Sequence, residues 1–112
     1  LVATIDLGSA ESIDTVEVNF LQDQRSWIFY PTEVECYLAV NDTFRKISPT
    51  YKIDSQQASS ETKIKTVRFK IEETTSRYVK IIAKNLGDLP VWHLGAPYQG
   101  KAWIFVDEII VK

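Results

Sequence analysis

Apolar and polar residues alternate with a period of two along most of this chain, and this pattern restricts the fold more than any other feature. Within residues 33–40, Val34, Cys36 and Leu38 fall on one face of an extended segment and mostly polar residues fall on the other. Such alternation is typical of a strand with one buried face. It predicts further strands at Leu1–Leu7, Thr15–Phe20, Phe44–Ile47, Thr66–Ile71 and Tyr78–Lys84. Since no segment shows a sustained helical period, we predict an all-β protein.

Turn-forming residues separate these segments. A Gly-Ser pair at 8–9, an Asn-Asp pair at 41–42 and the stretch 72–76 each predict a turn. About eight short strands with one apolar face each are typical of an antiparallel β-sandwich or jelly roll, with no helix longer than about two turns. A chain of 112 residues suffices for one such domain and not for two, so we assign residues 1–112 to a single domain.

The segment Ala102–Val111 is apolar on both of its alternating faces. One face carries Trp103, Phe105, Ile109 and Val111, and the other carries Ala102, Ile104, Val106 and Ile110. A strand of this kind is usually central in a sheet and covered on both sides, and we predict that position for it. Glu108 shares the second face, where burial of an uncompensated carboxylate would be costly, so it needs a cation or N–H donors.

Two irregular, aromatic-rich segments interrupt the strands, Leu21–Pro31 and Leu86–Lys101. They would lie side by side if both leave strands at the same end of the sandwich, which the periodicity leaves open. Amphipathic rings held on a stiff loop beside a rigid strand can form a platform for a ligand. The same rings could instead cap the open end of the sandwich. The polar segment Asp54–Glu61 is predicted to be a surface loop without function.

Charge and composition exclude several classes of function. The net charge of -2 provides no basic surplus for a nucleic acid backbone, and it argues against binding to a membrane surface. No run of about 18 apolar residues could span a bilayer. Cys36 is the only Cys, lies on an apolar face and is predicted to be buried. The chain contains no Met and opens inside a predicted strand, so we interpret it as part of a longer protein.

Four strings of residues stand out: IDLG near the start, FLQDQRSWIFYPTEVECYLAVND, RYVKIIAKN and KAWIFVDEIIV. They resemble the discoidin, or coagulation-factor type C, domain, which is galactose-binding-like, and the match runs over almost the whole chain. The strings LQDQxSWIF…PTEVE and WHxGA…GKAWIFVDEI further resemble the C-terminal module of secreted glycoside hydrolases, in particular family-twenty β-N-acetylhexosaminidases of gut Bacteroidetes. The resemblance implies a jelly-roll sandwich that acts as a non-catalytic carbohydrate-binding accessory module.

In that family an aromatic ring stacks on the sugar while polar side chains fix its hydroxyls. The resemblance implies a glycan partner of galactose or N-acetylhexosamine type and a location that is secreted, periplasmic or at the cell surface. The sugar-binding residues that it implies are Asp23, Arg25, Trp27, Trp92, His93 and Tyr98. His93, the only His, could bind a sugar hydroxyl or tie its loop to a carbonyl, and the tie is the more common use. A structural alternative is a module that only packs against the catalytic domain of the same polypeptide.

The family also uses the Glu at the position of Glu108 as a calcium ligand, completed by backbone oxygens of an N-terminal loop. The resemblance therefore implies a structural calcium ion at Glu108 where that loop is present, since calcium takes about six to eight oxygen ligands. Glycoside hydrolysis needs two carboxyl groups facing one bond across about 5 to 9 Å, whereas Asp107 and Glu108 point to opposite faces of a strand. A pair of Cys36 and His93 lacks a third, orienting group. We predict that this chain is not itself an enzyme.

Overall fold

The computed structural model describes residues 1–54 and 56–112, and strands dominate it. The strands are β1 (Val2–Gln22), β2 (Glu33–Ala39), β3 (Arg45–Lys46), β4 (Tyr51–Lys52), β5 (Lys63–Lys84) and β6 (Val106–Val111). Two short 3-10 helices, Gln24–Ser26 and Ala96–Tyr98, are the helical elements of the described residues, and each has three residues. The predicted all-β class and the limit on helix length are therefore confirmed.

All strand pairs are antiparallel, in the order β3-β2-β5-β1-β6, with β4 also paired to β2. The two long strands belong to both layers of a sandwich. The second part of β5 pairs with β2, whereas the second part of β1 pairs with β6. Both parts turn buried side chains into one core, which includes Val16, Phe20, Cys36, Val67 and Ile81. The alternation that predicts these strands also predicts which of their faces is buried.

The number of strands departs from the prediction of about eight short ones, because two of the six described strands run through predicted turns. At Gly8, φ is 87° and the backbone N–H donates to Asp6 Oδ1 at 2.9 Å, while β1 continues. The pairing of β1 with β5 shifts register between Asp6 and Glu11, and the predicted turn at 72–76 lies inside β5. The turn-forming residues thus mark an irregularity in a long ladder and not the end of a strand.

The C-terminal strand is at the edge of the sheet, so the prediction of a central, covered strand is wrong. It begins at Val106 and not at Ala102. Opposite β1, Asn19 pairs with Glu108 and Phe20 pairs with Val106, so Asp107 is an extra residue in the ladder. Such a bulge reverses which face the following residues occupy.

The bulge explains the observed burial around β6. The residues packed against the core are Ile104, Val106, Ile109 and Val111, a set drawn from both of the predicted faces. Trp103 and Phe105 are 67% and 49% exposed, and Glu108 is also exposed. The expected cost of burying the Glu108 carboxylate therefore does not arise.

Cys36 is fully buried in the core, as predicted, and burial raises the pKa of its thiol to about 12. Because the thiolate is the reactive form, we expect native protein at pH 8 to react with a thiol reagent about a thousandfold more slowly than unfolded protein. One equivalent should be labelled after denaturation and essentially none before it, as measured by absorbance with an aromatic disulfide. Labelling of the native chain within minutes would contradict this placement of Cys36.

Candidate functional site

A groove of about 530 Å³ lies where three loops meet at one end of the sandwich. The loop after β1 contributes Gln24, Arg25 and Trp27, and the loop after β5 contributes Trp92, His93 and Leu94. The third wall is residues 58–60, from the loop between β4 and β5. The two aromatic-rich segments therefore do leave the sandwich at the same end, which the sequence pattern left open.

His93 joins two of these loops and is buried. Its Nδ1 accepts the Gly95 N–H at 2.9 Å, and its Nε2 lies 2.6 Å from the backbone oxygen of Gln24. Since the Gln24 carbonyl can only accept and the Gly95 amide can only donate, the proton of the neutral ring is on Nε2. Both ring nitrogens are occupied by the protein. His93 therefore acts as the loop tie that the sequence analysis favoured over a direct bond to sugar.

Trp27 supports the loop that carries Trp92. Trp27 has a left-handed backbone, with φ of 65°, and its carbonyl accepts the Trp103 N–H at 2.8 Å. A Cβ on Gly95 would lie 2.8 Å from the Trp27 ring, and a Cβ on Gly100 would lie 2.9 Å from it. These glycines therefore allow the loop to pack directly on the half-buried indole. One part of Trp27 serves packing while another part lines the groove.

Trp92 is the most exposed ring of the groove. It is 44% exposed, although its centroid lies 6.2 Å from that of the buried Phe29 and 6.1 Å from that of His93. A ring held from below and open to solvent above can take a flat apolar ligand without rearrangement, which reduces the entropy cost of binding. Arg25, on the loop after β1, is exposed and is the only charged side chain in the described lining of the groove.

Two of the six candidate sugar-binding residues lie outside this groove. Asp23 accepts a hydrogen bond from Ser26 Oγ at 3.0 Å, and its backbone pairs with Ile28, so it shapes the turn that presents Arg25. Tyr98 is 81% exposed on the second short helix and does not line the groove. The structure brings together the other four candidates, Arg25, Trp27, Trp92 and His93.

The polar loop between β4 and β5 has more structure than its composition suggests. The Gln24 side chain donates to the Gln57 carbonyl at 2.7 Å and accepts the Ser59 N–H at 2.7 Å. The Gln56 side chain bonds both backbone groups of Tyr30, at 2.9 and 2.7 Å. The two Gln side chains bond backbone groups as a neighbouring strand would, and they fix residues 56–59 against the loop after β1. The groove wall at 58–60 was not a candidate from sequence, where its lack of pattern indicated a loop without function.

The position of Glu108 does not by itself provide a calcium site. The carboxylate is exposed and lies opposite Asn19. Across residues 1–54 and 56–112, no group of three or more His, Cys, Asp or Glu side chains could hold a metal ion. Calcium needs about six to eight oxygens, so the residues described do not complete such a site. The calcium role of Glu108 stays a prediction that depends on the N-terminal loop.

No protein-family model matches the chain, and no curated protein matches it. Its structure resembles that of a CBM32 carbohydrate-binding module from Clostridium perfringens, which was solved in complex with GalNAc-β-1,3-galactose. The TM-score is 0.53 and the sequence identity is 20%, and the match covers 82% of this chain and 57% of that chain. A CBM32-1 module from a family 31 glycoside hydrolase of the same species gives a TM-score of 0.49 and 23% identity, covering 74% of this chain and 57% of that chain.

The chain therefore spans little more than half the length of these two solved structures. The first likeness confirms the predicted β-sandwich, the fold that the chain shares with that module. Within the part of the chain that the structure describes, no helix is long and apolar enough to cross a membrane.

Proposed function

We propose that this chain is a non-catalytic carbohydrate-binding module of a secreted glycoside hydrolase, with the hexosaminidase-like parent that its sequence strings suggest. The observation that carries the proposal is Trp92, a half-exposed ring braced by Phe29 and His93 on the wall of an open groove. The module of similar fold that was solved with GalNAc-β-1,3-galactose supports a ligand of galactose or N-acetylhexosamine type.

The groove suits a single sugar unit held weakly. Trp92 would cover the apolar C–H face of the sugar, while Arg25 and the hydroxyl of Ser60 would bond its hydroxyl groups from the two walls. With one ring and a few hydrogen bonds that compete with water, we expect a dissociation constant of about 0.1 to 1 mM, or roughly -4 to -5.5 kcal/mol. Such weakness suits an appended module, because tethering raises the effective concentration of its ligand.

Trp92→Ala is expected to weaken binding of an N-acetylgalactosamine disaccharide about tenfold, because the stacking surface is lost. The fold loses the aromatic contacts with Phe29 and His93, worth about 0.5 to 1.5 kcal/mol each beyond the apolar area that they bury. Tyr98→Ala is the matched control: its ring is 81% exposed and outside the groove, so affinity and melting temperature should both stay near those of the parent. Titration calorimetry and thermal melts measure both quantities.

If the module only packs against the catalytic domain of the same polypeptide, no sugar should bind. Trp103 and Phe105 favour this structural alternative. Both rings are exposed in the segment just before the edge strand β6, where they could pack against a neighbouring domain of the same polypeptide. If the unsubstituted protein binds no sugar at about 10 mM, well above the expected dissociation constant, the packing alternative replaces the sugar-binding function. Equal losses of affinity in Trp92→Ala and Tyr98→Ala would instead move the sugar away from the described groove.

A further inference from the structure

A second groove, of about 440 Å³, lies beside the first and shares Ala58 and Ser59 with it. Residues 58–59 thus form a ridge between the two grooves. The second groove opens between the layers of the sandwich, with Tyr30 and Tyr51 among its lining residues. Its charged lining residues are Lys52, Asp54, Lys63 and Lys65, and we call this groove the lysine cleft.

Two of these lysines stand on the core-facing side of β5. Lys65 is directly opposite Phe20, which has 0% exposure, and Lys63 is opposite the buried Gln22. Directly opposed residues of neighbouring strands place their side chains on the same face of the sheet. A lysine in a position of this kind must carry its charge along the inside of the sandwich to the cleft mouth. The lysine cleft therefore concentrates cations at a place where the strand pattern calls for apolar residues.

The lysine cleft is positively charged, whereas the protein as a whole carries a negative charge. Three lysines face one aspartate there, although the complete chain has a net charge of -2. Lys63 lies 3.6 Å from Glu61, whose side chain is 75% exposed, so this pair is a weak surface contact. No salt bridge joins Lys52 or Lys65 to another of the described residues.

The wall of the lysine cleft is already fixed without a ligand. Gln22 is 5% exposed and donates to Gln56 Oε1 at 3.3 Å, and the same Gln56 amide is bonded to the backbone of Tyr30. These hydrogen bonds of the wall are made within the protein, whereas Lys65 makes no salt bridge to the described residues and Lys52, which is opposite Glu33 on β2, makes none to it. Ammonium groups beside a fixed wall attract carboxylate or sulfate oxygens.

We propose that the lysine cleft binds an anionic group, a uronate carboxylate or a sulfate ester, on the sugar unit next to the one in the Trp92 groove. The inference rests on the proposed sugar-binding function and extends it from a single sugar to a short acidic glycan. The ridge at 58–59 lines both grooves, so the proposal places adjacent units of one glycan chain on its two sides.

The test compares a neutral disaccharide, lactose, with digalacturonate and with a 6-sulfated galactose disaccharide, using titration calorimetry on the full chain. We expect the acidic ligands to bind about three- to tenfold more tightly than lactose, and this difference to shrink when NaCl rises from about 0.05 to 0.5 M. The double variant Lys52→Gln, Lys65→Gln should lose the difference and keep the affinity for lactose. Lys70→Gln, an exposed substitution elsewhere on β5, is the matched control and should change neither.

Thermal melts with inorganic sulfate report on the lysine cleft without a sugar. About 10 mM sodium sulfate should raise the melting temperature of the parent more than equal ionic strength of NaCl does, and the double variant should lose that excess. If lactose binds but the acidic ligands bind no better, and the double variant changes nothing, the lysine cleft is not a subsite while the sugar-binding function stands. Absence of binding by all three ligands would overturn both.

Discussion

Replacement of Phe29 by Ala is expected to lower the free energy of unfolding by about 3 to 5 kcal/mol, the largest effect we predict for a single substitution. Phe29 is 1% exposed and forms a small second core with Leu89 and Ala102, separate from the main core of the sandwich. Its ring also lies beneath Trp92 and His93, at centroid distances of 6.2 and 5.6 Å. Its loss would leave a cavity directly under the groove.

Because this second core is separate, the damage should show first in the loops. Urea unfolding followed by tryptophan fluorescence should shift further than unfolding followed by circular dichroism, since Trp27 and Trp92 border the cavity while the strands do not. Phe29→Leu, which keeps most of the volume, should cost less than about 1.5 kcal/mol. Leu94→Ala, at a residue 90% exposed in the loop that carries Trp92, should leave stability unchanged. A cost below about 1 kcal/mol for Phe29→Ala would contradict the second core.

The inner faces of the strands could be predicted because a period of two leaves little choice of which side is buried. Val34, Cys36 and Leu38 on β2, and Val79 and Ile81 on β5, are all buried as the alternation predicts. The extent of the strands could not be predicted in the same way. Gly8 and its neighbours are typical of a turn, yet a long ladder can absorb them as a shift of register.

In the last strand, one extra residue makes the buried face differ from the face that the period of two predicts. Asp107 is unremarkable in the sequence, but as a bulge it moves Ile109 and Val111 onto the face opposite to that predicted from Trp103 and Phe105. Nothing in a single sequence marks a bulge that contains no Gly. The apolar character of both predicted faces was therefore a consequence of the change of phase and not of burial on two sides.

The kinds of side chain in the candidate site could be predicted from the sequence, whereas the particular residues that line it were harder to predict. Trp27, Trp92 and Arg25 belong to irregular segments rich in rings, and the structure gathers them in one groove. Tyr98 belongs to the same kind of segment, yet the short helix that carries it points elsewhere. The contribution of Ser59 depends on a long-range hydrogen bond from its N–H to the Gln24 side chain, which no local pattern encodes.

His93 allows a test of whether the groove depends on a tie between two loops. His93→Ala removes the acceptor for the Gly95 N–H, which is left without a partner, and it removes one of two donors to the Gln24 carbonyl, which keeps its bond from the Trp27 N–H. At about 1 to 3 kcal/mol for the unsatisfied Gly95 amide and about 0.5 to 1.5 kcal/mol for the lost bond to Gln24, we expect a loss of roughly 1.5 to 4.5 kcal/mol in the free energy of unfolding. Sugar affinity should fall with it, because the Trp92 wall is no longer fixed to the Arg25 wall.

Two further variants at His93 separate the two hydrogen bonds. In His93→Asn the amide oxygen can replace Nδ1 and keep the local bond to Gly95, whereas in His93→Gln the longer amide can replace Nε2 and keep the bond to Gln24. The bond to Gln24 joins the loops, so His93→Gln should retain more sugar affinity than His93→Asn, although both should be more stable than His93→Ala. Urea unfolding and calorimetry measure the two effects. Unchanged stability in all three variants, with affinity lost equally in each, would instead make His93 a direct ligand of the sugar. It would contradict the role of His93 as a tie between the two loops.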